Sequence, residues 1–411
     1  MKNIKQGQHL QDISNIDANV YPYLQLNMHN VDSISYTPYQ LDYWRLTYEP
    51  VSEGALAPNI YLSMKDTVEV GETLEFKVAF KNVSPTPFDS VLVRLNVIDR
   101  NNVTHVLQNY RYKPLNENDT LTVIQSLNTN QFVGLNSLFL DVNPGNDQPE
   151  QYHFNNFAYR NFYVIADTLN PLMDITFDNV HILNNDIISP KPEILIKLKD
   201  EARWKLLNDT SLVNIRVKYP DGTTRAFYFN NIDTLRFNRA QTTNDNMATI
   251  NFKPFFNQDG SYELVVTGKD MSENKAGILD YRVNFEVYNK SMISNMMNYP
   301  NPFTTSTAFV FTLTGSEIPQ EFKIQILTVT GKVVKEITRQ ELGTLKIGRN
   351  ITEYKWDGTD QFGQKLANGV YLYRIVTSIG GKSLEKFNGK NDSENTDKYF
   401  NKGYGKMYLM R

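Results

Sequence analysis

The feature that most restricts the fold of this chain is a two-residue alternation of apolar and polar side chains, which recurs in short runs. Residues 322–326 read Phe-Lys-Ile-Gln-Ile, and residues 74–78 read Leu-Glu-Phe-Lys-Val. Such alternation places apolar side chains on one face of a β-strand and polar side chains on the other. Clusters of Gly, Pro, Asn and Asp separate the runs, as turns between short strands require. The sequence therefore predicts an all-β fold built from tandem β-sandwich domains.

Composition agrees with several such domains and excludes some functions. The chain has 411 residues, 40% hydrophobic and 12% aromatic, which is enough for roughly two to four domains with cores of their own. The net charge is −3, so the chain as a whole lacks the positive field of a nucleic-acid-binding protein. Cys is absent, which excludes disulfides, Cys zinc sites and thiol nucleophiles within this sequence. No run of about 18 apolar residues occurs, so we expect no membrane span.

Four short motifs follow one another late in the sequence. They are Tyr-Pro-Asn-Pro-Phe at 299–303, Thr-Gly-Lys at 330–332, Trp-Asp-Gly at 356–358 and Asn-Gly-Val-Tyr at 368–371. The motifs with Gly indicate tight turns, because Gly and Asn tolerate positive φ. In this order the four motifs resemble the Ig-like domain of flagellar hook-capping proteins, a domain type that recurs as the C-terminal sorting domain of proteins exported by the bacterial type IX secretion system. The residues that carry the resemblance are Asn298, Pro300, Asn301, Pro302, Phe303, Gly331, Trp356, Asp357, Gly358, Asn368, Gly369 and Tyr371.

The final stretch, residues 403–411, returns to strand-like alternation after a polar segment at 386–398. An unpaired strand edge invites association, so we expect this strand to complete the last sandwich. The resemblance implies, in addition, that the strand belongs to the signal read by the export machinery, carried here by Gly403, Lys406 and Arg411. The long polar segment departs from the compact family pattern. The implied partners are type IX translocon components, recognised by strand addition at an exposed edge, and an outer-membrane surface anchor.

Further modules precede this one. We predict the tail of an incomplete upstream β domain with a linker at 1–57, a sandwich at 58–166, a second sandwich at 167–289 and the sorting domain at 290–411. The acidic stretch and Asn-Asn pair before residue 157 resemble the bacterial adhesion-related sandwich family. The order of strand, Asp-x-Ser-x-Asn and strand in the second sandwich is similar to bacterial Ig-like repeats. The fold class is thus all-β with tandem Ig-like β-sandwich domains, and alternation predicts strands at 23–26 and 43–46.

The two ends of the sequence differ in character. Residues 1–10 lack the apolar core of a signal peptide, whereas the other end resembles an exported protein, so we expect Met1 to lie within a longer protein. The module order resembles the end of gingipain-type cysteine peptidases, which implies a Cys-His catalytic unit upstream and no catalytic residue in this chain. We therefore predict a non-catalytic, monomeric stalk and sorting module of a protein that is secreted or held at the outer-membrane surface. An adhesin module for matrix or glycan, and an accessory part of a peptidase, remain alternatives.

Carboxylate-rich stretches offer candidate metal ligands. Asp141, Asp147 and Glu150 lie close together in sequence, and Asp270 opens the Asp-x-Ser-x-Asn motif. Calcium takes about six to eight oxygen ligands, and neither stretch has the spacing of the twelve-residue helix-loop-helix calcium loop. We interpret these residues as turn formers and keep structural calcium as the alternative. The five His residues are scattered, so no zinc site or other cofactor is predicted.

Overall fold

The computed structural model of the protein describes residues 10–17, 20–29, 31–36, 41, 43–107, 109–230, 233–379, 383–386, 400–401 and 403–411. Regular structure in these residues consists of β-strands, apart from single-turn 3-10 helices at Pro144–Asn146 and Thr210–Leu212. The predicted all-β fold with tandem sandwiches is therefore confirmed. Within the described ranges, no helix has the length and hydropathy needed to cross a membrane.

The chain divides into two units, Met1–Val51 and Ser52–Arg411, because most residue contacts lie within one unit or the other. The described residues of the first unit contain no β-strand, so the prediction of strands at 23–26 and 43–46 is wrong. Tyr23 is 93% exposed and Tyr43 is 74% exposed. Alternation alone did not produce strands here, because a strand needs a hydrogen-bonded neighbour and two strands cannot bury a core by themselves.

The first sandwich encloses a core rich in Val, Leu and Phe between two sheets. In one sheet β4 pairs with β1, β2 and β8; the other has the order β3-β10-β9-β5-β6, with β7 also paired to β5. The alternate residues of β5 from Val91 to Val97 are all buried, as its alternation predicts. β1 lies in the segment predicted as a linker and pairs with the end of β4. The strands are β1 (Gly54–Leu56), β2 (Leu62–Met64), β3 (Thr67–Glu69), β4 (Thr73–Asn82), β5 (Val91–Ile98), β6 (Thr104–Val106), β7 (Tyr110–Tyr112), β8 (Thr120–Asn128), β9 (Gly134–Val142) and β10 (Phe157–Ile165).

The second sandwich has sheets of order β11-β13-β17-β16 and β12-β19-β18-β14-β15. Three buried rings form the centre of its core, with Tyr262 stacked on Phe285 at 5.6 Å between ring centroids and Phe256 in contact with both. The phenol of Tyr262 donates a hydrogen bond of 2.8 Å to the Gln258 carbonyl, which satisfies its one polar group. The strands are β11 (Leu172–Phe177), β12 (Asp186–Ile188), β13 (Ile194–Asp200), β14 (Val213–Lys218), β15 (Thr224–Phe227), β16 (Leu235–Asn238), β17 (Asn246–Phe252), β18 (Gly260–Gly268) and β19 (Tyr281–Val287).

The third sandwich has sheets of order β24-β21-β20-β26 and β23-β22-β25-β28-β27. Its core is centred on Trp356, Tyr373 and Phe309, all fully buried. The strand β28, although it comes at the end of the sequence, lies inside a sheet and not at its edge. The strands are β20 (Met292–Tyr299), β21 (Ala308–Leu313), β22 (Glu321–Thr328), β23 (Val333–Ile337), β24 (Gly348–Ile351), β25 (Gly369–Ser378), β26 (Glu385–Lys386), β27 (Phe400–Asn401) and β28 (Tyr404–Leu409).

Candidate functional site

The strand β28 divides its side chains between two environments. Met407 and Leu409 are buried in the core, whereas Lys406, Tyr408 and Met410 point outward and are exposed. On one edge the strand pairs antiparallel with β25, with Met407 opposite Tyr371 and Leu409 opposite Gly369. This alternation is the one that the sequence predicts for a strand with one wet face.

The opposite edge of β28 is closed by the Tyr-Pro-Asn-Pro-Phe motif. The Asn301 side chain donates to the Lys406 carbonyl at 3.0 Å and accepts from the Tyr408 N–H at 2.9 Å. The Phe303 backbone then bonds the Tyr408 carbonyl at 3.0 Å and the Met410 N–H at 2.9 Å. The backbone from Lys406 to Met410 is therefore paired on both edges, and a partner strand could be added there only by displacing the motif.

Arg411 is held by the other two turn motifs. The Asn368 amide accepts a hydrogen bond from the Arg411 N–H at 2.9 Å and donates one to the Arg411 carbonyl at 3.0 Å. The Arg411 guanidinium donates to the Asp357 carbonyl. Gly358 makes room for this contact: a Cβ there would lie 2.8 Å from Arg411 Nη2, and its φ of +76° disfavours other residues. We call Asn301, Phe303, Asp357, Asn368 and Arg411 the terminal clasp.

Charge also contributes to the clasp. Burial raises the pKa of Asp357, but hydrogen bonds from Thr359 and the positive charge of Arg411 outweigh that effect, so the pKa lies below its ordinary value. The Thr359 hydroxyl and N–H donate to Asp357 Oδ1 at 2.6 and 3.1 Å. This arrangement holds the turn in one conformation beneath Arg411, because the side chain of Asp357 satisfies the backbone of its own turn.

Aromatic packing in the core stabilises the clasp. Trp356 is fully buried, contacts the rings of Phe303 and Tyr371 at 5.5 and 5.7 Å between centroids, and donates from Nε1 to the Thr359 carbonyl at 2.8 Å. The Tyr371 hydroxyl donates to the Ala367 carbonyl at 2.8 Å. The motifs at 299–303 and 368–371 lie on opposite edges of β28. Trp356 joins them through the core, because it contacts a ring from each.

The remaining motif residues have local roles. The peptide bonds before Pro300 and Pro302 are cis, and the Pro300 carbonyl accepts a hydrogen bond from the Thr307 hydroxyl at 2.8 Å. Asn298 donates to the same hydroxyl oxygen at 3.1 Å. Gly331 has a φ of +87° in the turn between β22 and β23, as its motif predicts.

The Asn368-Gly369 pair and Gly405 differ from what the sequence indicates. The Asn368-Gly369 pair does not close a hairpin, because Gly369 begins β25 and the nearest tight turn is formed around residues 360–363. Gly405 was not singled out by the sequence, yet a Cβ at this position would lie 2.0 Å from Cζ of Tyr373. Gly403, with a φ of +84°, lies in the turn from β27 to β28.

Each candidate calcium ligand of the first sandwich is bonded to another protein group. Asp141 pairs with Nε2 of His153 at 3.0 Å. Asp147 accepts two hydrogen bonds from Arg111, at 2.7 and 2.9 Å, which lower the pKa of its carboxyl. Glu150 accepts from the Gly54 N–H at 3.0 Å. In the described residues, these three carboxylates do not form a cluster that could hold a metal ion.

Such a group does form around Asp270. One oxygen each of Asp167, Asp200 and Asp270 lie within 4.8 Å of one another, and no other set of three acidic, His or Cys side chains in the described residues is gathered in this way. Burial, followed by the negative charges of Asp167 and Asp270, raises the pKa of Asp200 to about 6. The sequence indicates Asp270 as a candidate ligand but does not indicate Asp167 or Asp200. We call these three residues the carboxylate triad.

Comparison with protein families gives a match to the end of the chain that contains the four motifs. Residues 298–381 match the FlgD Ig-like domain. The matched segment contains all four motifs and the strands from β21 to β25, so it describes the third sandwich and less than half of the chain. Every residue of the terminal clasp other than Arg411 lies in the matched segment, and we call the third sandwich the FlgD-like sandwich. A comparison with curated proteins gives no match.

Several solved structures are similar to parts of the chain at low identity. A CARDB domain from Pyrococcus furiosus, in complex with di-metal ions, is 18% identical over 29% of this chain and 100% of that domain, with a TM-score of 0.25. Latent, dimeric PorU from Porphyromonas gingivalis is 14% identical over 88% of this chain and 34% of PorU, with a TM-score of 0.24. A tetra-tandem repeat from the extending region of a large adhesion protein is 12% identical over 87% of this chain and 75% of the repeat, with a TM-score of 0.23. TM-scores this low carry no functional argument.

Proposed function

We propose that this chain is the non-catalytic stalk and secretion-sorting module of an exported bacterial surface protein, recognised by the type IX translocon through the FlgD-like sandwich. The observation that carries the proposal is the terminal clasp. Motif residues fix both edges of β28 and hold Arg411. The exposed face of Lys406, Tyr408 and Met410 is thereby a rigid, folded surface. A receptor would read this surface through side chains, because the backbone of β28 is already paired.

A secretion assay tests this proposal. Residues 290–411 are fused behind a signal peptide and a fluorescent reporter, expressed in a host with type IX secretion, and compared in medium, surface and periplasmic fractions. Deleting residues 403–411 would remove Met407 and Leu409 from the core, so loss of export would not separate recognition from unfolding. The informative variants are therefore Lys406→Glu and Tyr408→Ala, which alter exposed side chains of β28 and leave the hydrogen bonds of the terminal clasp in place.

The matched control is Lys332→Glu, which reverses an equally exposed charge in the turn between β22 and β23. We expect the control to be exported and the two test variants to collect in the periplasm, with thermal unfolding showing that all three remain folded. Export of both test variants at the wild-type level would contradict recognition of β28. Retention of the folded wild-type fusion in the periplasm would contradict the sorting function itself.

A second candidate function, adhesion, is favoured by an aromatic row on the first sandwich. Phe139 stacks on Tyr159 at 4.6 Å and on Phe157 at 5.6 Å between ring centroids, with interplanar angles below 30°. Tyr159 is exposed, and flat exposed rings suit contact with the apolar faces of sugars. Glycan-array binding by the full chain that is lost in Tyr159→Ala, but kept in Tyr163→Ala on the same strand, would support an adhesin. Absence of binding to any glycan would contradict glycan adhesion through this row.

The position of the chain within a larger peptidase is a separate proposal. An accessory role requires a catalytic domain on the same polypeptide, and the coding sequence immediately upstream of Met1 reveals whether a Cys-His unit is present. Finding only further β-sandwich modules there would favour the stalk without a peptidase.

A further inference from the structure

The carboxylate triad brings together three distant parts of the sequence. Asp167 follows β10 in the segment that joins the first sandwich to the second, Asp200 is the last residue of β13, and Asp270 follows β18. Asp200 and Asp270 are buried and Asp167 is half-buried. Three carboxylates in a site with little water repel one another, and burial of unpaired charge is strongly unfavourable unless a cation joins the group.

The triad contains oxygen atoms that no protein group satisfies. Oδ1 of Asp200, a residue only 3% exposed, and Oδ2 of Asp167 are buried without a hydrogen-bond partner. The ion pairs described in the second sandwich use other carboxylates. Native structures rarely leave such atoms unsatisfied, and an unrecorded ion is one of the few physical reasons for it.

The third carboxylate is held in a fixed orientation. Oδ1 of Asp270 accepts hydrogen bonds from the N–H groups of Ser272 and Asn274 at 2.7 and 2.9 Å. The Asn274 amide donates to Oδ2 of Asp270 at 2.8 Å and to the Asp167 carbonyl at 3.2 Å. The Asp-x-Ser-x-Asn turn therefore positions one ligand and also holds the segment that supplies another. This support is what oriented metal ligands require.

We propose that Asp167, Asp200 and Asp270 together bind one calcium ion. A donor set of carboxylate oxygens without His or Cys selects a hard cation. Calcium–oxygen distances of about 2.3–2.6 Å allow two ligands of one ion to lie up to about 5 Å apart, which fits three oxygens within 4.8 Å of one another. Magnesium usually takes only one or two carboxylates and keeps most of its water, so three carboxylates favour calcium. Water and nearby oxygens complete the coordination.

The position of the site gives the ion a mechanical role. The ion connects the segment that joins the two sandwiches to the end of β13 and to the loop after β18. The loop after Asp200 also touches the first sandwich: a Cβ on Gly71 would lie 3.1 Å from Trp204. Bound calcium would therefore stiffen the joint between the first and second sandwiches, and removal of calcium would loosen it.

Calorimetric titration of the full chain, stripped with EGTA, tests the proposal. We expect one calcium ion per chain, with the affinity lowered at least tenfold in Asp200→Asn and in Asp270→Asn. The matched control is Asp178→Asn in the same sandwich, where Asn suits the φ of +49° and the carboxylate lies outside the triad. Wild-type protein that gives no calcium signal up to about 1 mM, the weak end of known protein calcium sites, would overturn the proposal.

Thermal unfolding separates ion binding from a merely structural role of Asp200. Without calcium, Asp200→Asn removes one of three repelling charges, so we expect it to unfold at a higher temperature than the wild type. With saturating calcium the order should reverse, because only the wild type gains the stabilisation of a bound ion. A variant that is less stable than the wild type by the same amount in EGTA and in calcium would contradict the proposal.

Discussion

At the residue scale, Asn368 shows where sequence interpretation reaches its limit. Followed by Gly369, it has the form of a hairpin turn, but its side chain binds the backbone of Arg411, 43 positions away. No local pattern contains that partner. Phe76 is the opposite case: the alternation at residues 74–78 predicts that it faces a core, and it is fully buried. Local alternation could therefore indicate which side chains are buried, whereas hydrogen bonds across the fold could not be derived from spacing.

Replacement of Asn368 by Ala should loosen the end of β28. The variant loses both hydrogen bonds to Arg411, each worth about 0.5–1.5 kcal/mol and nearer the lower value at this exposed position. We expect faster hydrogen exchange in a peptide that covers residues 404–411, measured by mass spectrometry, with unchanged exchange in the first two sandwiches. Gln361→Ala, an exposed change in the same sandwich, is the control. Equal exchange in both variants would show that Asn368 does not hold the terminus.

The pKa of Asp357 predicts a dependence of stability on pH. The folded pKa lies below the ordinary value of an aspartate carboxyl, so the ionised carboxyl stabilises the fold at pH values above the unfolded pKa. That contribution is lost as the pH falls below the ordinary aspartate pKa of about 4 and then through the lower folded pKa. Melting temperatures from pH 6 to pH 2 should fall less steeply for Asp357→Asn than for the wild type. The control Glu317→Gln, in an exposed loop, should follow the wild type; parallel curves for all three proteins would refute the assignment.

At the scale of the element, alternation was sufficient to predict a strand only where a partner strand exists. In β28 it gave the correct inward and outward faces. At 23–26 and 43–46 a similar pattern forms no strand in the described residues, since no neighbour pairs with it. The closing of the second edge of β28 by Asn301 and Phe303 could not be predicted either, because these residues precede the strand by about a hundred positions.

The two faces of β28 should differ sharply in their tolerance of substitution. Met407→Ala leaves a cavity in a fully buried site and should destabilise the third sandwich by about 2–5 kcal/mol. Tyr408→Ala, one residue along on the exposed face, should change stability by no more than about 0.5 kcal/mol. Scanning calorimetry of both variants measures the difference. Similar losses for the two would mean that β28 is not packed as the structure describes.

At the scale of the whole molecule, the three sandwiches have three separate cores, each built from strands that are close in sequence. That organisation could be predicted, because alternating runs and turn clusters recur along the chain. The carboxylate triad could not. Its members come from a joining segment, a strand end and a loop, and only the folded second sandwich brings Asp167, Asp200 and Asp270 together.

Separate cores predict separate unfolding. Phe76 is fully buried in the first sandwich, so Phe76→Ala should destabilise that sandwich by about 3–5 kcal/mol. Scanning calorimetry should then show one transition moving to lower temperature while the transition of the third sandwich stays in place. A uniform shift of all transitions would indicate a single cooperative unit.

The place of β28 in the third sandwich also matters during synthesis. The ribosome makes this strand after every other strand of its sheet, and the core stays open until Met407 and Leu409 are available. A chain that stops before residue 403 would lack these side chains and the groups that Asn301 and Asn368 bind. Under the proposed sorting function, a polypeptide truncated before β28 could not complete the folded sandwich and would not be exported.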